Sequence, residues 1–114
     1  MGIRAGFIGT RFAGTDGVSL ETDKWAEVLI RLGYRVSFFS GRCDKDPAIS
    51  WVAPKAYFAH PEVQHIQNRC FGFEHAPASL EQDILDMAGE LKEQLYRYIE
   101  SHTPDLLIIE NALA

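Results

Sequence analysis

The sequence predicts an α/β domain, a parallel sheet of about three or four strands with flanking helices. Two short apolar runs, Ala5-Gly6-Phe7-Ile8 and Leu106-Leu107-Ile108-Ile109, lack helical spacing and suit strands buried on both faces, as parallel strands are. Between them, two stretches repeat apolar residues at helical intervals, so strand and helix alternate. Over residues 3–40 the order strand, helix, strand is a βαβ unit, whose right-handed crossover sets its two strands parallel.

The first strand falls within residues 3–9. Residues 10–17, Thr-Arg-Phe-Ala-Gly-Thr-Asp-Gly, form a loop of small and polar residues ahead of a helix over residues 18–32. Val18, Trp25, Val28, Leu29 and Leu32 stand at positions compatible with one face of that helix. Gly33 suits a left-handed C-terminal cap, and Arg31 puts positive charge in the last turn. The β-branched and aromatic residues 34–40 make the second strand. Asp44-Lys45-Asp46-Pro47 marks a turn, and Ser50-Trp51-Val52-Ala53 reads as a short strand before Pro54.

Pro61 opens a short helix over residues 61–70, followed by a loop through Gly72 and Pro77. Ser79-Leu80-Glu81-Gln82 matches a reciprocal capping box, and Leu80, Ile84, Met87, Leu91, Leu95 and Ile99 keep helical spacing to about Ser101. Glu81, Asp83, Asp86, Glu90 and Glu93 read as the solvated face of this helix. Thr103-Pro104 breaks it, and residues 105–109 read as another fully buried strand closing on Glu110-Asn111.

Composition narrows the function classes. With 114 residues there is room for one core, and 46% hydrophobic and 24% charged residues are the proportions of a folded, water-soluble domain. A net charge of −5 with scattered Lys and Arg disfavours a nucleic-acid partner. The apolar runs fall far short of the roughly 20 residues that span a bilayer, and no signal-peptide core opens the chain, so a cytoplasmic protein is expected. Cys43 and Cys70 lack C-x-x-C spacing and read as two reduced thiols. His60, His65, His75 and His102 show no ligand spacing, so neither a metal nor a cofactor is expected.

In a doubly wound sheet, ligands bind beyond the carboxyl ends of the strands, where strand order reverses. The glycine-rich loop of residues 10–17 and the pair Glu110 and Asn111 both reach that place. Glycines let the backbone approach an anion, and a helix start offers unpaired N–H groups. Gly9, Gly14 and Gly17 do not make G-x-G-x-x-G, and Thr15-Asp16 stands where a P-loop needs Lys-Ser/Thr. A nucleoside triphosphatase is therefore disfavoured. A turn that merely joins strand to helix, with Asp16 as N-cap, remains the alternative for the loop, and an ordinary polar strand end for Glu110 and Asn111.

Residues 7–22, Phe-Ile-Gly-Thr-Arg-Phe-Ala-Gly-Thr-Asp-Gly-Val-Ser-Leu-Glu-Thr, the helix that follows and the junction Leu32-Gly33-Tyr34-Arg35-Val36 resemble the opening of a GT-B-fold glycosyltransferase of the family 4 (group 1) kind. Residues 104–111, Pro-Asp-Leu-Leu-Ile-Ile-Glu-Asn, are similar to the Pro-Asp-apolar strand of the same enzymes. The resemblance implies a Rossmann-like N-terminal domain and retaining transfer of a sugar from a nucleotide-diphosphate donor to an acceptor, in a cleft between two such domains. It implies that Gly14, Thr15, Asp16 and Gly17 face that cleft, steadying donor diphosphate or acceptor through backbone N–H groups, with Arg11 as a cationic contact and Glu110 and Asn111 beside them.

The basic pair, paired-glutamate motif and cleft histidine of such enzymes do not occur in these residues, so catalytic residues stay unassigned. Residues 1–114 are expected to be a single, truncated domain, inactive alone and prone to self-association through an uncovered sheet edge. The rival readings are a stand-alone, non-catalytic α/β module that binds a nucleotide, phosphosugar or protein partner, and a structural domain with an empty loop.

Overall fold

The chain passes through β1 (Arg4–Ile8), β2 (Arg11–Phe12), α1 (Gly17–Arg31), β3 (Arg35–Ser40), β4 (Arg42–Cys43), β5 (Ser50–Val52), α2 (Pro61–Arg69), α3 (Ala78–His102) and β6 (Leu106–Ile109). This is a computed structural model, which describes residues 2–71 and 77–110. Gly72 and His75 of the predicted loop lie outside the described residues. Four strands form an all-parallel sheet in the order β5-β3-β1-β6, flanked by helices, which is a Rossmann-like α/β arrangement. β2 and β4 add a separate parallel pair, Arg11 opposite Arg42 and Phe12 opposite Cys43.

One face of the sheet packs on α1. Phe7 and Phe38 stack at 5.5 Å between ring centroids, and Phe12 meets Phe38 edge-on at 5.6 Å. These rings fill the layer, so α1 turns its small residues Ser19, Thr22 and Ala26 toward them, with Leu29 partly buried alongside. The expected apolar face of this helix is thereby corrected. Trp25, Val28 and Leu32 are exposed, because three aromatic rings leave no room for a second layer of large side chains. The helix ends as its sequence predicts, with Gly33 at φ 90° just beyond it.

The other face packs on α3. Phe39, Ala53 and Tyr98 form its centre, with Ile8, Trp51, Leu91, Leu95 and Ile99 around them. The Tyr98 hydroxyl is 2.5 Å from Ser37 Oγ, and burial raises its pKa above the usual tyrosine value. Gly6 makes this contact fit, since a Cβ there would stand 2.4 Å from Tyr98 Oη. The predicted capping box does not form. α3 starts one residue earlier, at Ala78, because extended Pro77 serves as the N-cap and its carbonyl accepts from the amides of Leu80 and Glu81. The acidic face of α3 is not merely solvated, for Asp83 pairs with Arg69 of α2 and Glu90 with Lys55.

β6 also departs from expectation. Leu106, Leu107 and Ile109 are exposed, because β6 lies at the edge of the sheet and pairs only with β1 among the described residues. No helix among the described residues is long and apolar enough to cross a membrane.

Candidate functional site

Strand order creates the site. The chain steps from β1 to β3 to β5 in one direction, then returns to place β6 on the opposite side of β1. The carboxyl ends of β1 and β6 therefore lie at the switch point of the sheet, the place where such sheets bind ligands. Two regions meet there: the loop of residues 9–17 on the side of α1, and a cleft on the side of α3.

The loop is stapled to the protein. Gly9 N–H donates to Phe39 O, Gly41 N–H to Thr10 O and Asp44 N–H to Phe12 O, each at 3.0 Å, so the β2–β4 pair extends the sheet hydrogen bonds past β3. Gly14 takes φ 77°, and Arg11 Nη2 lies 2.8 Å from where a Cβ would stand, so both conformation and space call for glycine. Its amide donates to Asp44 Oδ2 at 3.0 Å. Asp16 is the N-cap of α1, accepting from Ser19 N at 3.0 Å and from Ser19 Oγ at 2.7 Å, while Ala13 N–H donates to Ser19 Oγ at 3.1 Å.

Arg11 Nε donates to Ala13 O at 2.9 Å and lies 3.4 Å from Asp16 Oδ2. The hydroxyl and amide of Ser19 hold the Asp16 carboxyl below the ordinary aspartate value, and the Gly14 amide does the same for Asp44. Lys45 completes the brace, bonded to Asp23 of α1 and 3.3 Å from Asp44. Burial works against its charge, but these two carboxylates outweigh it and raise its pKa. At the helix start, the amides of Gly17 and Val18 have no acceptor among the described residues.

The cleft is open where the loop is closed. It encloses about 510 Å³ between the sheet and α3. Ile8, Phe39 and Ile109 form its floor, and Leu91 and Leu95 its helical wall. Polar groups come from Gly9 and Thr10 after β1, Glu110 after β6, and Lys92 of α3. The Glu110 amide donates to Ile8 O at 2.8 Å, which fixes its backbone at the end of β1. Apolar walls with a few polar groups at a switch point are the usual build of a small-molecule site.

A further cavity of about 420 Å³ lies between α2 and α3, but its charges answer one another. Lys55 there pairs with Glu62 at 2.8 Å and Glu90 at 2.7 Å, contacts that push its pKa up to about 12. Among the described residues no group of His, Cys, Asp and Glu is placed to hold a metal ion.

Of the residues singled out in the sequence, Arg11, Gly14 and Asp16 are brought together in the loop, with Thr15 and Gly17 exposed beside them. Glu110 lies in the cleft with Gly9 and Thr10, and none of Arg11, Gly14, Thr15, Asp16 or Gly17 lines that space. Asn111 lies outside the described residues. Sequence reasoning missed Lys92. Its signal was its place beside Leu91 and three residues before Leu95, at the margin of the apolar stripe rather than opposite it.

The fold and the position of the crevice define a Rossmann-like α/β protein with an open cleft at its switch point. No protein-family model matches the chain, and no solved structure matches it. Over 97 residues the chain is 29% identical to the mannosylglucosylglycerate synthase of Thermotoga maritima, an alignment covering 84% of this chain and 22% of that protein. The chain thus spans about a fifth of the length of the curated relative it matches.

Proposed function

We propose that the chain is the N-terminal Rossmann-like part of a glycosyltransferase, of the GT-B, family 4 (group 1) kind, which moves a sugar from a nucleotide-diphosphate donor to an acceptor. The observation that carries this reading is the cleft at the switch point, where Glu110, Thr10 and the Gly9 backbone converge over an apolar floor. Similarity to a mannosylglucosylglycerate synthase supports a glycosyltransferase relationship. In this reading the cleft receives a sugar, with the Glu110 carboxylate accepting from its hydroxyls. Arg11, Thr15 and Gly17 border the donor diphosphate, while Gly14 and Asp16 are committed to the turn's own hydrogen bonds. The groups left to meet that charge are the Arg11 guanidinium and the amides of Gly17 and Val18 at the positive end of α1.

Transfer by the whole protein needs a second domain across the cleft, and Asn111 belongs to the proposed border. A transfer assay on the full-length gene product tests the reading, using a panel of nucleotide-diphosphate sugars and small hydroxylated acceptors. Sugar transfer that falls at least tenfold in Glu110→Ala is the expected result, a loss of the size that follows removal of a charged hydrogen-bonding partner, roughly tenfold or more. No transfer with any donor would overturn it. The Gly14 amide, already taken by Asp44, favours for that part of the loop the reading as a turn that joins strand to helix.

The outer edge of β6, unpaired among the described residues, supports self-association as well. Leu106→Lys, which puts a charge on that edge, is expected to lower the apparent mass in sedimentation at high concentration. A concentration-independent monomeric mass in both proteins would overturn this part.

A further inference from the structure

We propose that Lys92 makes the cleft selective for a sugar that carries one anionic group, a carboxylate or a phosphate. This rests on the reading of the cleft as a sugar site. α3 presents Leu91, Lys92 and Leu95 to the cleft, so a lysine stands among its apolar lining residues. Lys45 and Lys55 are each held by two carboxylates, whereas Lys92 has no carboxylate within ion-pair distance among the described residues. Its Nζ rests 5.6 Å from the centroid of the Tyr96 ring, a contact that leaves its hydrogen-bonding directions for a ligand.

The rest of the rim has a different chemistry. Glu110 offers acceptors and Thr10 a hydroxyl, groups that match sugar hydroxyls and would repel a second negative charge. The cleft therefore asymmetrically suits a polyhydroxylated ligand with a single anionic end, its charge at Lys92 and its hydroxyls toward Glu110. Lys92 is exposed, so its charge acts to discriminate between ligands more than to supply affinity.

Amide-resolved NMR titration of the intact protein with glucose, glucuronate and glucose 6-phosphate tests this. Glucuronate or glucose 6-phosphate is expected to shift Gly9, Thr10 and Glu110 at a concentration roughly three- to fivefold below that needed for glucose, as an exposed ion pair allows. The stronger of the two names the anionic group. Lys92→Met should reduce both acids to the level of glucose, and Lys92→Arg should keep the preference. Lys92 is exposed, so neither variant disturbs the core. Equal binding of all three sugars, or a preference that survives Lys92→Met, would overturn the inference while leaving the cleft as a sugar site. Failure of all three to move any cleft amide would overturn both.

Discussion

The two sides of the carboxyl end of β1 differ in what they have left to offer. On the α1 side, the glycine-rich loop satisfies itself: Asp44 takes the Gly14 amide, Asp16 the Ser19 amide, and Ser19 the Ala13 amide. On the α3 side, the cleft keeps about 510 Å³ of open volume, with Glu110 and Lys92 among its lining residues. Glycine in a loop reports a backbone conformation or a close approach, and the partner can be the protein's own side chain. A polar group already hydrogen-bonded inside the protein must lose that bond before it binds anything else. The side chains of Glu110 and Lys92, which have no ion-pair partner among the described residues, ask no such exchange.

Breaking the closed side should cost the most. Phe12 is fully buried between β1, β3 and α1, so Phe12→Ala is expected to destabilise by about 3–5 kcal/mol in urea unfolding. A loss under about 1 kcal/mol would mean that the loop is not anchored by this ring.

Gly9 joins the two sides, since it lines the cleft and a Cβ there would stand 2.7 Å from Phe12 Cζ. Gly9→Ala is therefore expected to cost about 1–3 kcal/mol by overpacking and to alter ligand shifts in the cleft. A neutral effect on both would separate loop packing from the cleft.

Thr22 sharpens the comparison in the other direction. Its hydroxyl is buried against the aromatic layer and has no hydrogen-bond partner among the described residues. Thr22→Val replaces it with a methyl of similar volume, so stability should rise by about 1 kcal/mol. A decrease would show that the hydroxyl is satisfied after all.

The smallest effect is the pH dependence of the loop's own caps. Asp16 and Asp44 have carboxyls held below their ordinary value of 3.8, so their contribution is present above that value and is lost as pH falls through the lowered values. The acid limb of a melting-temperature profile should therefore flatten in Asp16→Asn/Asp44→Asn. Lys55 acts at the opposite end, its contribution present below 10.5 and lost as pH rises through about 12. Its pairs are solvent-exposed, and a basic limb unchanged by Lys55→Met would show that they contribute nothing measurable.

The long signals of the fold were legible. The βαβ unit, the short strand at Ser50, the Pro61 helix and the long helix after Pro77 follow from apolar period, proline and glycine. β2 and β4 were not, because two residues have no period and their pairing depends on residues 42 and 43, distant in sequence. The face of α1 was misread because hydrophobicity alone cannot tell that three phenylalanines already fill the layer. The exposure of β6 depends on what packs beside it, which its own apolar residues do not encode. At the site, Glu110 was legible as a polar residue closing an apolar strand, whereas Lys92 came into reach only once α3 was placed over the sheet.

The central claim is that ligand meets the open cleft and not the self-capped turn at Ala13 and Gly14. Amide-resolved NMR during titration of the intact protein with a nucleotide-diphosphate sugar tests it most directly. The account predicts shifts at Gly9, Thr10 and Glu110 with Ala13 and Gly14 unmoved. Shifts centred on Ala13 and Gly14, with Asp44 released and the cleft silent, would contradict it.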